Sequence, residues 1–295
     1  MKFVRLKNRS NEKTEKLKSI LNNLNLRNIF NPCYKELNKN HYISFRANSE
    51  SESIESFILI LDEDYKIISF TNLSKFYSRN YGINKINDPK LTILNKLLYL
   101  TFNTGFNLQG NDIYLAEINK DLPKPRKCIY EERMLIEKNW AFYNFNNKLL
   151  ALYSLNPLVI LESYFIESDE IKFKIYYKQK NKNVFFKGLT IGSNIEKIKN
   201  EYYLMAHEKR FLYNKRIYFG RLVCLSVIDK KFKITKVSPY RYIHSFRSLF
   251  GTIKKRNKNL ISCSYFSGIS QDIDSKIILS YGINDFSFSF GIISF

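Results

Sequence analysis

Two carboxylates head the residues whose types and positions suit chemistry. Asp88 stands in Asn87-Asp88-Pro89-Lys90, and Asp285 closes Ser280-Tyr281-Gly282-Ile283-Asn284-Asp285. A carboxyl held at a partly desolvated mouth has a raised pKa. It can then exchange a proton with a leaving oxygen or an incoming hydroxyl. Asp88 is the first candidate for acid or base, with an Asx turn ahead of Pro89 as the structural alternative. Asp285 is the second carboxylate, or a holder of sugar hydroxyls. Arg46, Lys138 and His207 end or open apolar segments in three separate parts of the chain. Brought together, they would form a cationic pocket for a phosphate or diphosphate leaving group. Trp140, the single tryptophan, offers an indole to the C–H face of a pyranose, with core packing as the alternative. The Tyr281 hydroxyl and the Asn87 and Asn139 amides complete the candidate substrate-binding set. The chain has no Gly-rich phosphate loop, no Ser-His-Asp set and no Asp-x-Asp motif. Its four cysteines (Cys33, Cys128, Cys224, Cys263) have no metal-ligand spacing. No metal or cofactor is expected.

Such scattered groups need a scaffold that makes them converge, and the periodicity supplies one. Ile171-Lys-Phe-Lys-Ile-Tyr-Tyr alternates with period two, while Phe57-Ile-Leu-Ile-Leu and Leu222-Val-Cys-Leu-Ser-Val are apolar runs of strand length. Apolar segments starting at 40, 96, 148, 201 and 276 can be laid on one another, at spacings of 56, 52, 53 and 75 residues. Nine residues before each start stands Asn31, Asn87, Asn139, Gly192 or Ser267. Repeating β units of about 50 residues predict an all-β, five-bladed β-propeller over 30–295, with inner strands near 40–46, 96–102, 148–154, 201–207 and 276–282. In that fold, inner-strand ends from every blade meet at one mouth. The long final spacing places extra structure in 209–220 and 239–259. Before the propeller, Leu17, Ile20, Leu21 and Leu24 follow helical spacing. They predict a short amphipathic helix in a basic N-terminal segment, 1–29.

These residues carry a resemblance. Asn87-Asp88-Pro89-Lys90, with its following strand, resembles the Glu-Asp-Pro-Arg element of the five-bladed propellers of β-mannoside phosphorylases and their mannosyltransferase relatives, which are distantly similar to furanosidase propellers. Glu137-Lys138-Asn139-Trp140 resembles a third-blade element of relatives associated with glycosyltransferase modules. Gly192-Ser193-Asn194 with Tyr203-Leu-Met-Ala-His207, and Tyr281-Gly282-x-x-Asp285, resemble the fourth and closing elements. The resemblance covers residues 30–295 and implies an acid or base role for Asp88. It further implies a glycan-active enzyme transferring a hexosyl, mannose-like group in polysaccharide synthesis, with a carbohydrate acceptor and a phosphorylated or nucleotide-sugar donor. A glycoside phosphorylase or hydrolase on the same fold is the second expectation. A non-catalytic glycan- or protein-binding propeller is the third. Three departures stand out. Asn87 replaces the family's Glu, Lys90 replaces its Arg, and Ser154-Leu155 replaces the His-Arg pair with which the phosphorylases hold phosphate.

Composition bounds the partners. The 295 residues hold 48 Lys and Arg against 27 Asp and Glu, a formal charge of +21. The lysines are spread over strands and loops amid abundant Asn and Ile, so nucleic acid is not the expected partner. No apolar run reaches the roughly 18 residues of a membrane span. The N-terminus lacks the apolar stretch of a secretory signal. The expectation is a cytoplasmic protein whose N-terminal helix packs on the main domain, with a peripheral contact of its basic face to anionic membrane as the alternative.

Overall fold

The computed structural model describes residues 1–49, 52–119, 122–180, 188–229, 231–250, 253–272 and 276–294. Among these the chain is almost entirely β. It forms five antiparallel units in sequence order. The first is Arg27–Leu37, Asn40–Asn48, Ile54–Leu61 and Ile67–Asn72. The second is Asn87–Leu94, Leu97–Asn103, Ile113–Glu117 and Arg126–Ile129. The third is Ala141–Phe145, Lys148–Leu155, Leu158–Ile166 and Glu170–Gln179. The fourth opens with an interrupted strand, Leu189–Ile191 and Glu196–Ile198, followed by Glu201–Leu212, Lys215–Ile228 and Lys231–Val237. The fifth is Leu260–Gln271, Ile277–Ile283 and Ser287–Ile293.

Tight two-residue turns set the register. Asn38-Lys39, Asn95-Lys96 and Asn146-Asn147 all have left-handed backbones (φ 50 and 65, 49 and 67, 49 and 60), matching the twist of the strands they join. Asn and Lys at these positions were the visible part of the repeat. Counting back six residues from the end of each first strand gives Asn31, Asp88 and Asn139, again all left-handed at φ 51, 49 and 65. The structural repeat therefore runs through Asp88, one residue past the sequence alignment on Asn87. The first two of these positions sit in β-bulges, between Phe30 and Cys33 and between Asn87 and Lys90.

The apolar segments expected as innermost are in fact the second strands of their units. The first strands lie closer to the common centre, and contacts between neighbouring units run in a closed order. Arg27–Leu37 touches Asn87–Leu94, which touches Ala141–Phe145. Lys148–Leu155 touches Leu189–Ile191. Glu196–Ile198 touches Leu260–Gln271, which returns to Arg27–Leu37. Apolar side chains fill the space between units, as in the cluster of Leu150, Leu152, Leu204 and Val223 between the third and fourth.

The N-terminal segment is strand and helix. Lys2–Arg5 pairs in parallel with Tyr240–Ile243. Helix Glu12–Asn22 begins at a capping box, in which Thr14 N donates to Asn11 Oδ1 at 2.9 Å and Asn11 N donates to Thr14 Oγ1 at 2.8 Å. Its apolar face is covered: Leu17 and Leu21 pack with Ile278, Phe288 and Phe290 of the fifth unit. No helix among the described residues is long and apolar enough to cross a membrane.

Gly192 shows how tightly the fourth unit closes on the centre. A Cβ built there would lie 2.6 Å from the Met205 carbonyl oxygen and 2.8 Å from His207 Nε2. Gly192→Ala should therefore destabilise the fold by about 1–3 kcal/mol. Thermal melts of the two proteins measure this, and an unchanged melting temperature contradicts the close approach.

Candidate functional site

Asp88, Lys138, His207 and Asp285, drawn from four separate units, line one cavity of about 540 Å³, with Arg46 and Asn139 also on its wall. A larger groove of about 790 Å³ beside the N-terminal strand has no Asp, Glu or His among its described lining residues, and hence no acid–base group. The cavity that holds both aspartates is the candidate site.

Each aspartate projects from a left-handed backbone, Asp88 at φ 49 and Asp285 at φ 52. Arg46 binds the first directly, with Nη1 3.2 Å from Asp88 Oδ1, while Nη2 donates to Asn87 Oδ1 at 2.7 Å. Burial acts to raise the Asp88 pKa. The charges of Arg46, Lys138 and Lys90, with a hydrogen bond from Asn103, outweigh it and hold the carboxyl below its ordinary value. The expectation of a raised pKa at Asp88 is thus reversed, because the cations lie closer than sequence could show. Asp285 goes the other way. Burial and the negative charge of Asp88 raise it, against weaker opposition from Arg46 and a hydrogen bond from Asn31. Two carboxyls over one cavity are driven apart, the pattern that separates a base from an acid.

His207 is not the cation expected of it. Its Nε2 accepts a hydrogen bond from the Phe266 amide at 2.9 Å, which places the ring proton on Nδ1. Burial first, and then the nearby Lys90 charge, push its pKa down to about 3. His207 is a neutral donor on the cavity wall, its ring tilted against that of Tyr265 with centroids 4.5 Å apart. Lys90 is itself fully buried and donates to Asn139 Oδ1 at 2.6 Å. Burial lowers its pKa to about 8 against the attraction of Asp88. Asn139 also accepts from the Tyr265 hydroxyl at 3.1 Å and donates to the Ile191 carbonyl at 3.0 Å. Its amide joins four units together and is committed to the protein.

Two expected ligand contacts lie elsewhere. Trp140 is buried in the third unit against Tyr153 and Phe173, and its Nε1 donates to Glu137 Oε2 at 3.1 Å. The indole is core, so it gives no stacking platform. Tyr281 is likewise buried against Phe266, with its hydroxyl 3.1 Å from His244 Nδ1. Asn87 is absent from the cavity lining and acts on it through Arg46. Conversely, the cavity gains Arg216, Tyr218 and Tyr265, which the motif reading did not select. Arg216 and Tyr218 alternate along one strand of the basic, aromatic stretch 209–220, and that alternation was the available signal. Ser154 and Leu155 also line the cavity.

No protein-family model matches the chain, and no curated protein matches it. Solved structures do. The fold is similar to that of a glycosyl hydrolase from Bacteroides ovatus, at TM-score 0.63 and 11% identity, over 91% of this chain and 84% of that one. A GDP-Man-dependent mannosyltransferase from Leishmania mexicana gives TM-score 0.57 and 13% identity over 92% and 86%. A β-1,2-mannobiose phosphorylase from Listeria innocua gives TM-score 0.57 and 13% identity over 91% and 90%. The chain has the β-propeller fold of glycoside hydrolases, mannose phosphorylases and mannosyltransferases.

The depressed histidine has a stability consequence. Its folded pKa of about 3 lies below the ordinary 6.5, so the unfolded chain takes up a proton that the folded chain refuses. The stabilisation is complete above about pH 6.5 and is lost progressively as pH falls toward 3. His207→Gln keeps a neutral side chain and cannot titrate. Denaturant unfolding between pH 4 and 6 should show wild type losing stability by roughly 1.4 kcal/mol per pH unit more steeply than the variant. Parallel pH slopes would contradict a buried neutral His207.

Proposed function

We propose that the chain is a glycan-active enzyme that transfers a hexosyl, mannose-like group from a phosphorylated or nucleotide-sugar donor to a carbohydrate hydroxyl. The observation that carries this is the pair of oppositely shifted carboxyls on one cavity wall with Arg46, Lys138 and Arg216. Asp88, ionised at neutral pH, accepts the proton of the incoming hydroxyl as its oxygen bonds to the anomeric carbon. The bond from that carbon to the leaving oxygen breaks, and the electron pair goes to the leaving group. A phosphate or diphosphate leaves as an anion and needs no proton. Lys138 and Arg216 are the cations free of Asp88's direct grip to receive it. His207 Nδ1–H and the Tyr218 hydroxyl are neutral hydrogen-bonding groups for sugar hydroxyls.

The raised carboxyl of Asp285 favours a second reading, a phosphorylase or hydrolase. A sugar leaving oxygen requires a proton, and Asp285 is the carboxyl whose pKa is raised toward supplying one. Transfer is preferred because Ser154 and Leu155 occupy the cavity wall where the resembled phosphorylases carry phosphate-binding His and Arg.

Asp88→Asn separates catalysis from binding. Turnover of labelled donor should fall by about 10²–10⁴-fold, with donor affinity and melting temperature little changed. The wild-type rate should decline in acid as Asp88 takes a proton, below the ordinary carboxylate range, and the variant should lose that limb. Equal turnover removes Asp88 from the mechanism. Glycan binding by wild type without turnover, over a broad donor and acceptor panel, identifies a non-catalytic propeller instead.

A further inference from the structure

The hairpin Glu201–Leu212/Lys215–Ile228 runs past its own unit. Its tip, 209–216, reads Lys-Arg-Phe-Leu-Tyr-Asn-Lys-Arg, and the strands stay paired to the end, Phe211 with Arg216 and Leu212 with Lys215. The turn residues Tyr213 and Asn214 are left-handed, at φ 47 and 58, so the tip is a formed hairpin. Phe211, Leu212 and Tyr213 are nonetheless 64%, 48% and 88% exposed. Three consecutive apolar residues displayed this far on a formed tip call for a partner.

The tip adjoins the cavity. Arg216, paired with Phe211, lines it. The Arg216 amide donates to the Asn259 carbonyl at 2.9 Å, which fastens the hairpin to 254–260. That segment reads Lys-Lys-Arg-Asn-Lys-Asn-Leu, with Asn257 and Leu260 on the cavity wall and Lys254, Arg256 and Lys258 exposed. Neither 209–216 nor 254–260 contains an Asp or Glu. Another lining segment, 131–138, differs: Glu131 and Glu132 accompany exposed Met134 and Leu135 there.

We infer that this wall of the cavity mouth docks on an anionic membrane surface, with Phe211, Leu212 and Tyr213 entering the interface and the flanking cations meeting lipid phosphates. Aromatic side chains at the tip with Lys and Arg just behind them match the depth profile of a bilayer interface, apolar below and anionic above. A chain of charge +21 reinforces the attraction. The N-terminal helix, whose apolar face is already covered, does not insert. The orientation turns the cavity toward the membrane, where an acceptor held on lipid would be presented. Docking stands independently of the hexosyl-transfer reading.

The test is co-sedimentation of the full chain with vesicles of phosphatidylcholine alone, or with a minority of phosphatidylglycerol, over a range of salt. Wild type should pellet with the anionic vesicles, less so at high salt. Phe211→Ser/Tyr213→Ser should weaken that binding by about tenfold or more, because it removes buried aromatic area without altering charge. Lys254→Glu/Lys258→Glu should weaken it more than Lys75→Glu/Lys96→Glu, which makes the same charge change on the first and second units. In Tyr213→Trp the emission of the new indole should shift to the blue on vesicle addition. Turnover of soluble substrates should be the same in the tip variants as in wild type, so failure of docking and failure of the enzyme reading are distinguishable. No vesicle binding by wild type, an unmoved affinity in the serine variant, or equal losses in the two charge-reversed pairs would each overturn the proposal.

Discussion

The fold depends on how the first strands of neighbouring units satisfy their backbones where they meet. Apart from Leu260–Gln271, whose start pairs in parallel with Lys215–Ile228, the first strands form no backbone ladder with a neighbouring unit among the described residues, yet their buried carbonyl and amide groups need partners. Short polar side chains supply them across four of the junctions. Ser44 Oγ donates to the Pro89 carbonyl at 2.9 Å, and Thr92 Oγ1 to that of Phe142 at 3.2 Å. Asn139 Nδ2 donates to Ile191 at 3.0 Å, and the Asn194 amide both donates to the Ile269 carbonyl and accepts from its amide at 3.0 Å. The fifth junction, back to the first unit, is closed by Ser267 Oγ donating to the Pro32 carbonyl. This is why small polar residues recur at the centre of an otherwise apolar β chain. It is also why the repeat could be seen at Asn31, Asn139, Gly192 and Ser267.

The same constraint builds the site's electrostatics. Bulged, left-handed residues at the junctions turn side chains off the sheet and toward the cavity, and Asp88 uses that exit. Lys90 lies two residues on, at the far end of the bulge, and stays in the seam, where Asn139 holds its ammonium. The buried ammonium acts on both neighbours: it helps to keep Asp88 ionised and helps to keep His207 neutral. Asp88, once ionised, adds to the burial that raises the pKa of Asp285. The charge states of these groups are one coupled result of which residues fill the junctions.

This shows how much the sequence could tell. Period-two runs and Asn-rich turns located the strands, and repeat spacing brought Asp88, Lys138, His207 and Asp285 to one mouth. Facing direction is harder to read. A one-residue slip in a strand turns a side chain to the other face, and the alignment placed Asn87 where the structural repeat has Asp88. Tyr281 was chosen for its hydroxyl, but its strand neighbour across the sheet is Phe266. Tyr265, the residue before Phe266, faces the cavity instead. Trp140 was lost to a partner that no spacing rule names, the buried Glu137, which also takes the Tyr153 hydroxyl and the Met134 amide. The neutrality of His207 was invisible for a related reason, since it is set by burial and by the charge of Lys90 from another unit.

The departure at position 87 now has a physical meaning. Arg46 reaches both residues 87 and 88, one with each terminal nitrogen. A Glu at 87, as in the resembled propellers, would put two carboxylates on one guanidinium. Like charges at that separation resist joint ionisation, so one of the pair would be driven to hold a proton. Asn87 accepts the same hydrogen bond and brings no charge, which leaves Asp88 as the carboxylate in that grip. The substitution thus lowers the pKa of the residue beside it. In the proposed transfer, it moves position 88 away from delivering a proton to a sugar oxygen and toward accepting one from a hydroxyl. A donor with a phosphate leaving group requires that balance, because its departure consumes no proton and the attack must release one.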